Sequence, residues 1–278
     1  MGLNWLECVF PNILNPQGMA IDQKYDKIFD WLKRNDPSSN HTSARNKHEP
    51  GTGNWFIESE AFDSWTKTAN ASLWLHGIPG AGKTILCSTI IEHVTKLPGT
   101  AFTYECAYFY FDFNDPQKRT VTGMLWSIIT QLCLHRPQLP PEVQELYTKC
   151  DNGKWEPDTE SLIKTVLLLF KNSERIYLVM DALDECAEHD ELFDFIPRLR
   201  CLASGHVNLL VTSREERDIA NALQDVIEVR IGLESHVVDG DIRLHVQKCL
   251  ATDKRLGKWN PHIRQEIQDA LVQGAHGM

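Results

Sequence analysis

Long apolar runs are missing from this chain of 278 residues. No stretch approaches the roughly 18 consecutive apolar residues that a membrane-spanning helix needs. The first residues also lack a secretory leader, because Glu7, Pro11 and Pro16 interrupt any apolar core and no basic cluster precedes one. Although the chain begins Met1-Gly2, Leu6 stands where N-myristoylation wants Ser or Thr, so that anchor is not expected. Basic residues are in the minority, 28 Lys and Arg against 38 Asp and Glu, for a net charge of -10. With those cations scattered, neither nucleic acid nor an anionic membrane is an expected partner, and any phosphate must be bound by local chemistry. Paired metal-ligand spacings are absent too. Eight cysteines are spread without a C-x-x-C pair and read as reduced, small hydrophobes of a cytoplasmic protein. His245 and Cys249, one helical turn apart, have no second ligand pair, so no zinc site is expected. Asn40-His41-Thr42 and Asn70-Ala71-Ser72 fit the glycosylation pattern and would be silent in that compartment. There is no internal repeat and no low-complexity tract.

What is present is one phosphate-binding loop, Gly77-Ile78-Pro79-Gly80-Ala81-Gly82-Lys83-Thr84, which fits the Walker A pattern G-x-x-x-x-G-K-[ST] at every position. Its glycines let successive backbone N–H groups turn inward around phosphates. Lys83 is expected to reach the β/γ oxygens and the Thr84 hydroxyl to ligate Mg²⁺. The following helix would add its positive N-terminal end. The context agrees: Ser72-Leu73-Trp74-Leu75 reads as a buried strand entering the loop, and Ile85, Leu86, Ile90, Ile91 and Val94 recur at helical spacing after it.

Apolar or β-rich runs then alternate with helical patterns. The strand candidates are Leu73 to His76, Ala107 to Asp112, Ile176 to Asp181, Asn208 to Ser213 and Val226 to Ile231. Between them, Val121 to Leu134, Glu142 to Cys150, Ser161 to Phe170 and Glu191 to Leu199 read as helices. Such alternation predicts an α/β fold of three layers, a parallel five-stranded sheet covered by helices on both faces. Upstream, an amphipathic helix over Ile21 to Lys33 and a polar stretch from Arg34 to Gly53 read as a leader, residues 1–53. The nucleotide-binding domain is expected over 54–233, opening with Phe56, Phe62 and Trp65 on a helix beside the first strand. Two helices, Asp241 to Ala251 and Pro261 to Gln273, form a partial helical subdomain over 234–278. The second starts on Asn260 as N-cap with Pro261 behind it and is expected to stop at Gly274.

A nucleotide site of this type needs a carboxylate at the end of a neighbouring strand, and Ile176-Tyr177-Leu178-Val179-Met180-Asp181 supplies it as a Walker B pattern. Asp181 is expected to hold Mg²⁺ with Thr84. Of the pair behind it, Glu185 is the candidate to orient or deprotonate an attacking water, with Asp184 in support. The strand ending Val211-Thr212-Ser213-Arg214 brings a hydroxyl pair and a cation to the carboxyl end of the sheet, where ligands of open α/β folds bind. Arg214 either senses the γ-phosphate or pairs with Glu215 or Glu216.

Gly51-Thr52-Gly53-Asn54-Trp55-Phe56, the loop, Phe109-Tyr110-Phe111-Asp112-Phe113, Asp181-Ala182-Leu183-Asp184-Glu185-Cys186 and Val211-Thr212-Ser213-Arg214-Glu215 together resemble the NACHT domain of STAND-type signalling NTPases. The version is that of fungal NOD-like receptors, related to the nephrocystin N-terminal region. The resemblance implies a sheet order 5-1-4-3-2 and places Gly51 to Trp55 near the adenine. It further implies a switch in self/non-self recognition: ADP holds the resting form, exchange for ATP opens it, and oligomerisation activates an effector. An N-terminal effector, a winged helix and a repeat array, usual in such proteins, are not found in this sequence, which reads as a fragment or a truncated gene product. The expected ligands are Mg²⁺ with ATP or ADP, GTP not being distinguishable, and the expected hydrolysis is slow. Two other readings compete. A small-molecule kinase or fast ATPase would need an arginine-bearing lid, and no Arg cluster lies between the strands; a nucleotide-independent scaffold would associate with itself or with full-length relatives.

Overall fold

The computed structural model describes residues 25–32, 38–97, 105–134, 136, 138–202, 207–233, 235–253, 256 and 259–275. Met1 to Leu6, Cys8, the outer residues of the helix expected over Ile21 to Lys33, and the last three residues lie outside them. Among the described residues five strands form one parallel sheet: β1 (Ser72–His76), β2 (Glu105–Tyr110), β3 (Ile176–Asp181), β4 (Val207–Ser213) and β5 (Val229–Gly232). Their spatial order is β2-β3-β4-β1-β5, which read from the other edge is the expected 5-1-4-3-2. β4 is inserted between the strand that enters the loop and the strand that ends in Asp181. That insertion brings Arg214 between the other two components of the site.

The three layers follow from the strand periodicity of two. On one face Trp74, Phe109, Leu178, Met180, Leu209 and Val211 join a core with α1 (25–32), α6 (Val121–Leu134), α7 (Pro141–Lys149), α8 (Thr159–Lys171), α9 (His189–Leu202) and α10 (Arg217–Leu223). On the other, Leu73, Leu75, Tyr177, Val179 and Leu210 pack with α3 (Asn54–Ile57), α4 (Glu60–Lys67) and α5 (Lys83–Val94). Both faces being buried, the central strands read as unbroken apolar runs, the pattern of a covered parallel sheet.

Where α4 ends against the first residues of β3 and β4, its orphan carbonyls find side-chain donors. Tyr177 Oη donates to Thr66 O at 2.8 Å, and Arg175 to the same oxygen at 3.0 Å. The fully buried Asn208 amide donates to Trp65 O and Thr68 O while its oxygen accepts from Asn70 N, so no polar atom of this buried side chain is left unpaired.

Local expectations differ in places: β2 runs Glu105–Tyr110 and β5 Val229–Gly232, against the expected Ala107 to Asp112 and Val226 to Ile231, and two helices depart further. Part of the polar stretch is helical, α2 (Ser38–Lys47), although only Ala44 on it is buried. It is attached by polar contacts instead of an apolar stripe: Arg45 to Thr89 on α5 at 3.2 Å, His41 to Tyr110 on β2 at 3.0 Å, and Asn40 to Asp112 at 3.2 Å. After α11 (Ser235–Thr252), α12 runs from Pro261 to Ala275, so Gly274 does not stop it. A glycine ends a helix when it turns left-handed, and Gly274 is not among the glycines with positive φ. The start is as expected, with Ile263 N donating to Asn260 Oδ1 at 3.0 Å.

Candidate functional site

The loop between β1 and α5 carries its curvature in two left-handed glycines, Gly80 (φ 86°) and Gly82 (φ 82°), a conformation that side-chain-bearing residues rarely adopt. Gly82 is also the residue before α5, so the first N–H groups of that helix open towards the loop. Lys83 Nζ lies back along the loop and donates to Gly77 O at 2.7 Å and Ile78 O at 2.9 Å. Partial burial lowers its affinity for its proton, and the carboxylates of Asp184, Asp181 and Glu185 oppose that effect. The three acids come from one place, the end of β3 and the short turn behind it, within electrostatic reach of the lysine.

Asp181 is buried at the end of β3, where its two oxygens are separately held. Thr84 donates to Oδ2 at 2.7 Å and Thr212 to Oδ1 at 2.6 Å. Thr212 in turn accepts from Ala182 N at 3.0 Å, which ties β4 to the turn after β3. The exposed hydroxyl and the carboxylate are hard oxygen donors and suit Mg²⁺. The sequence marks Thr212 only as one of a hydroxyl pair; the pairing of β4 with β3 sets it against Asp181.

Burial pushes the Asp181 carboxyl above the ordinary carboxylate range, against the hydrogen bonds from Thr212 and Thr84. The folded chain thus keeps this proton to higher pH than the unfolded chain, whose value is about 4. Its contribution to stability is greatest below that value and is lost as pH rises through the raised one. Asp181→Asn should remove the effect. Thermal melts of the nucleotide-free protein and the variant should diverge from pH 4 to pH 7, the variant melting higher; curves that stay parallel would show that Asp181 is not a strained buried charge.

Behind β3, Ala182 adopts a left-handed backbone (φ 58°), which costs a non-glycine residue roughly 1 kcal/mol. It redirects the chain into the short 3₁₀ turn Leu183–Glu185 and brings both acids back to the sheet end. Asp184 accepts from Arg214 Nε at 2.9 Å and from Arg214 N at 3.0 Å. The side chain of Asp184 is 4% exposed and that of Arg214 48%, so the carboxylate is the inner partner and the guanidinium the outer one. Arg214 thus pairs with neither Glu215 nor Glu216; Glu215 approaches His76 at 3.5 Å. Glu185 accepts from Phe113 N at 3.0 Å, and its carboxyl is raised first by burial and then by Asp184, Asp112 and Asp181.

A cavity of about 700 Å³ opens beside Gly80 and Gly82. Segment 47–55 forms one wall and α11 with α12 the other, with Leu86, Val238, Ile242 and Leu271 contributing its apolar lining. Sequence reasoning missed Asp241, which joins these walls, because no motif surrounds it. Among the described residues no group of His, Cys, Asp and Glu forms a further metal cluster, and no helix is long and apolar enough to cross a membrane. His245 and Cys249 approach to 3.6 Å without additional ligands.

These features agree with the comparisons to known proteins. The family model for "Nephrocystin 3, N-terminal" matches residues 51–214. The vegetative incompatibility protein HET-E-1 of Podospora anserina is 28% identical over 234 residues, 80% of this chain, which spans 17% of that protein's length. Among solved structures, Cdc6p from Pyrobaculum aerophilum superposes with a TM-score of 0.48 at 14% identity over 73% of this chain and 51% of that one. The Orc1 protein of Aeropyrum pernix, in complex with DNA, does so with a TM-score of 0.45 at 13% identity over 95% and 56%. With more than half of its residues matched to one family model, the chain belongs to the nephrocystin 3 N-terminal family, as a P-loop NTPase domain of NACHT type.

Proposed function

We propose that the chain binds a nucleoside triphosphate, ATP in the first instance, together with Mg²⁺, and hydrolyses it slowly as the switch module of a cytoplasmic signalling protein. The convergence of Lys83, Thr84 and Asp181 at the carboxyl end of one parallel sheet carries this reading. The loop amides and Lys83 take the phosphates, a task for which Lys83 exchanges the Gly77 and Ile78 carbonyls for phosphate oxygens. Thr84 and Asp181 would hold the metal, whose chemistry when bound is to neutralise charge on the phosphate oxygens. Glu185 orients and deprotonates the attacking water. Arg214 reads the γ-phosphate, and Asp184 is its positioning partner; this gives Asp184 a more definite task than general support. The base lies in the apolar cavity, next to Gly51 to Trp55.

The leader (1–53), nucleotide domain (54–233) and helical subdomain (234–278) are the units of that switch. Likeness to a protein named for vegetative incompatibility supports a role in self/non-self recognition, exerted through self-association or association with longer relatives. The direct test is to purify the chain, denature it and identify released nucleotide by chromatography, then measure rebinding of ATP and GTP with Mg²⁺ or with EDTA. Released ADP or ATP and Mg²⁺-dependent rebinding are expected. A folded chain that is empty and rebinds neither nucleotide would overturn the proposal in favour of a nucleotide-independent scaffold.

A further inference from the structure

The cavity beside the loop is built from residues far apart in the chain, and side chains of α11 tie its two walls together. Asp241, on α11, accepts through Oδ2 from Gly53 N at 2.8 Å and from Trp55 Nε1 at 3.1 Å, across 188 and 186 residues. A second link runs in parallel, Lys248 of α11 to Glu49 at 2.7 Å. The segment they hold is a tight turn: Thr52 N and Oγ1 both donate to Glu49 O, at 3.0 and 2.8 Å, and Gly51 (φ 94°) and Gly53 (φ 78°) are left-handed. These bonds set the shape of the turn, while its position against α11 is set by what grips it from outside. A methyl group on Gly53 would meet Leu86 Cδ1 at 3.0 Å, so the turn also sits directly against α5 and the cavity.

We propose that Asp241 is a positioning residue of the nucleotide pocket, holding Gly53 and Trp55 as the wall against which the base packs and linking occupancy of the pocket to the docking of α11. This rests on the nucleotide-binding reading above. Asp241 acts on the base end of the ligand and leaves the phosphate end, built by Lys83, Thr84 and Asp181, untouched.

The experiment measures ATP affinity of the chain with and without Mg²⁺ in the parent, Asp241→Ala and Asp241→Asn. Alanine should weaken ATP binding about tenfold, the scale of a lost hydrogen bond to a charged group. The ratio between affinities with and without Mg²⁺ should be unchanged, and asparagine, which keeps an acceptor oxygen, should recover most of the loss. If the alanine variant does not fold, Trp55→Phe removes one of the two donors and keeps an aromatic face, and about a threefold loss with the same unchanged ratio is expected. Unaltered ATP affinity, a change in the Mg²⁺ ratio, or an asparagine variant as weak as alanine overturns the proposal. A parent that binds no nucleotide sinks the nucleotide reading itself, and this inference with it; a parent that binds, with a variant that binds as well, sinks only this inference.

Discussion

Lys83→Ala should leave the chain folded and reduce ATP affinity roughly 10- to 100-fold, the free energy of one or two charge-assisted hydrogen bonds. The separation of folding from binding follows from where the ammonium lies. In the structure it donates only to Gly77 O and Ile78 O, at the solvent-facing rim of the loop, and water replaces it there at little cost. Among the described residues the other cation of the site, Arg214, is paired with Asp184. Titration calorimetry with Mg²⁺-ATP, beside a thermal melt, checks both halves. Equal ATP affinity in parent and variant would mean that the phosphates are not bound by this loop.

Glu185→Gln should lower ATP turnover by about 100-fold or more, the contribution of a positioned general base, while ATP affinity stays within about threefold. Glutamine keeps an oxygen to accept from Phe113 N, so the loop after β2 remains anchored. What it removes is a proton acceptor whose carboxyl burial has pushed above the ordinary range. Because the base works when ionised, parent turnover should climb as pH rises through that raised value, and the variant should lose this acidic limb. Single-turnover assays across pH 4 to 8, with affinity measured in parallel, distinguish the cases. Should turnover and affinity fall together with the pH limb intact, Glu185 is an anchor for Phe113, and the base lies elsewhere.

Strand positions were legible because they depend on local pattern. Ile176 to Asp181 is apolar at every position before its terminal acid, and a strand buried on both faces needs such a run. α6 was readable to the residue, Val121–Leu134, since its apolar content is high and helical throughout. α2 was not, because its contacts are individual hydrogen bonds from His41 and Arg45 to partners more than 40 residues away, and no stripe announces them. The end of α12 was misread for a related reason: whether Gly274 turns left-handed is decided by what surrounds it, not by its being glycine.

The proposed loop chemistry is contained in eight consecutive residues, since it draws on backbone conformation and on Lys83 and Thr84, all of them local. Sequence by itself therefore determined the layered α/β architecture, the phosphate loop and the carboxylate at the end of β3. Only the tertiary structure decided how the remaining groups are shared out: Asp184 to Arg214, 30 residues apart, Thr212 to Asp181, 31 apart, and Asp241 to Gly53, 188 apart. Short-range pattern reports which face a residue occupies. The partner it meets there is set by strand order and by how α11 docks, and these are properties of the packed chain as a whole.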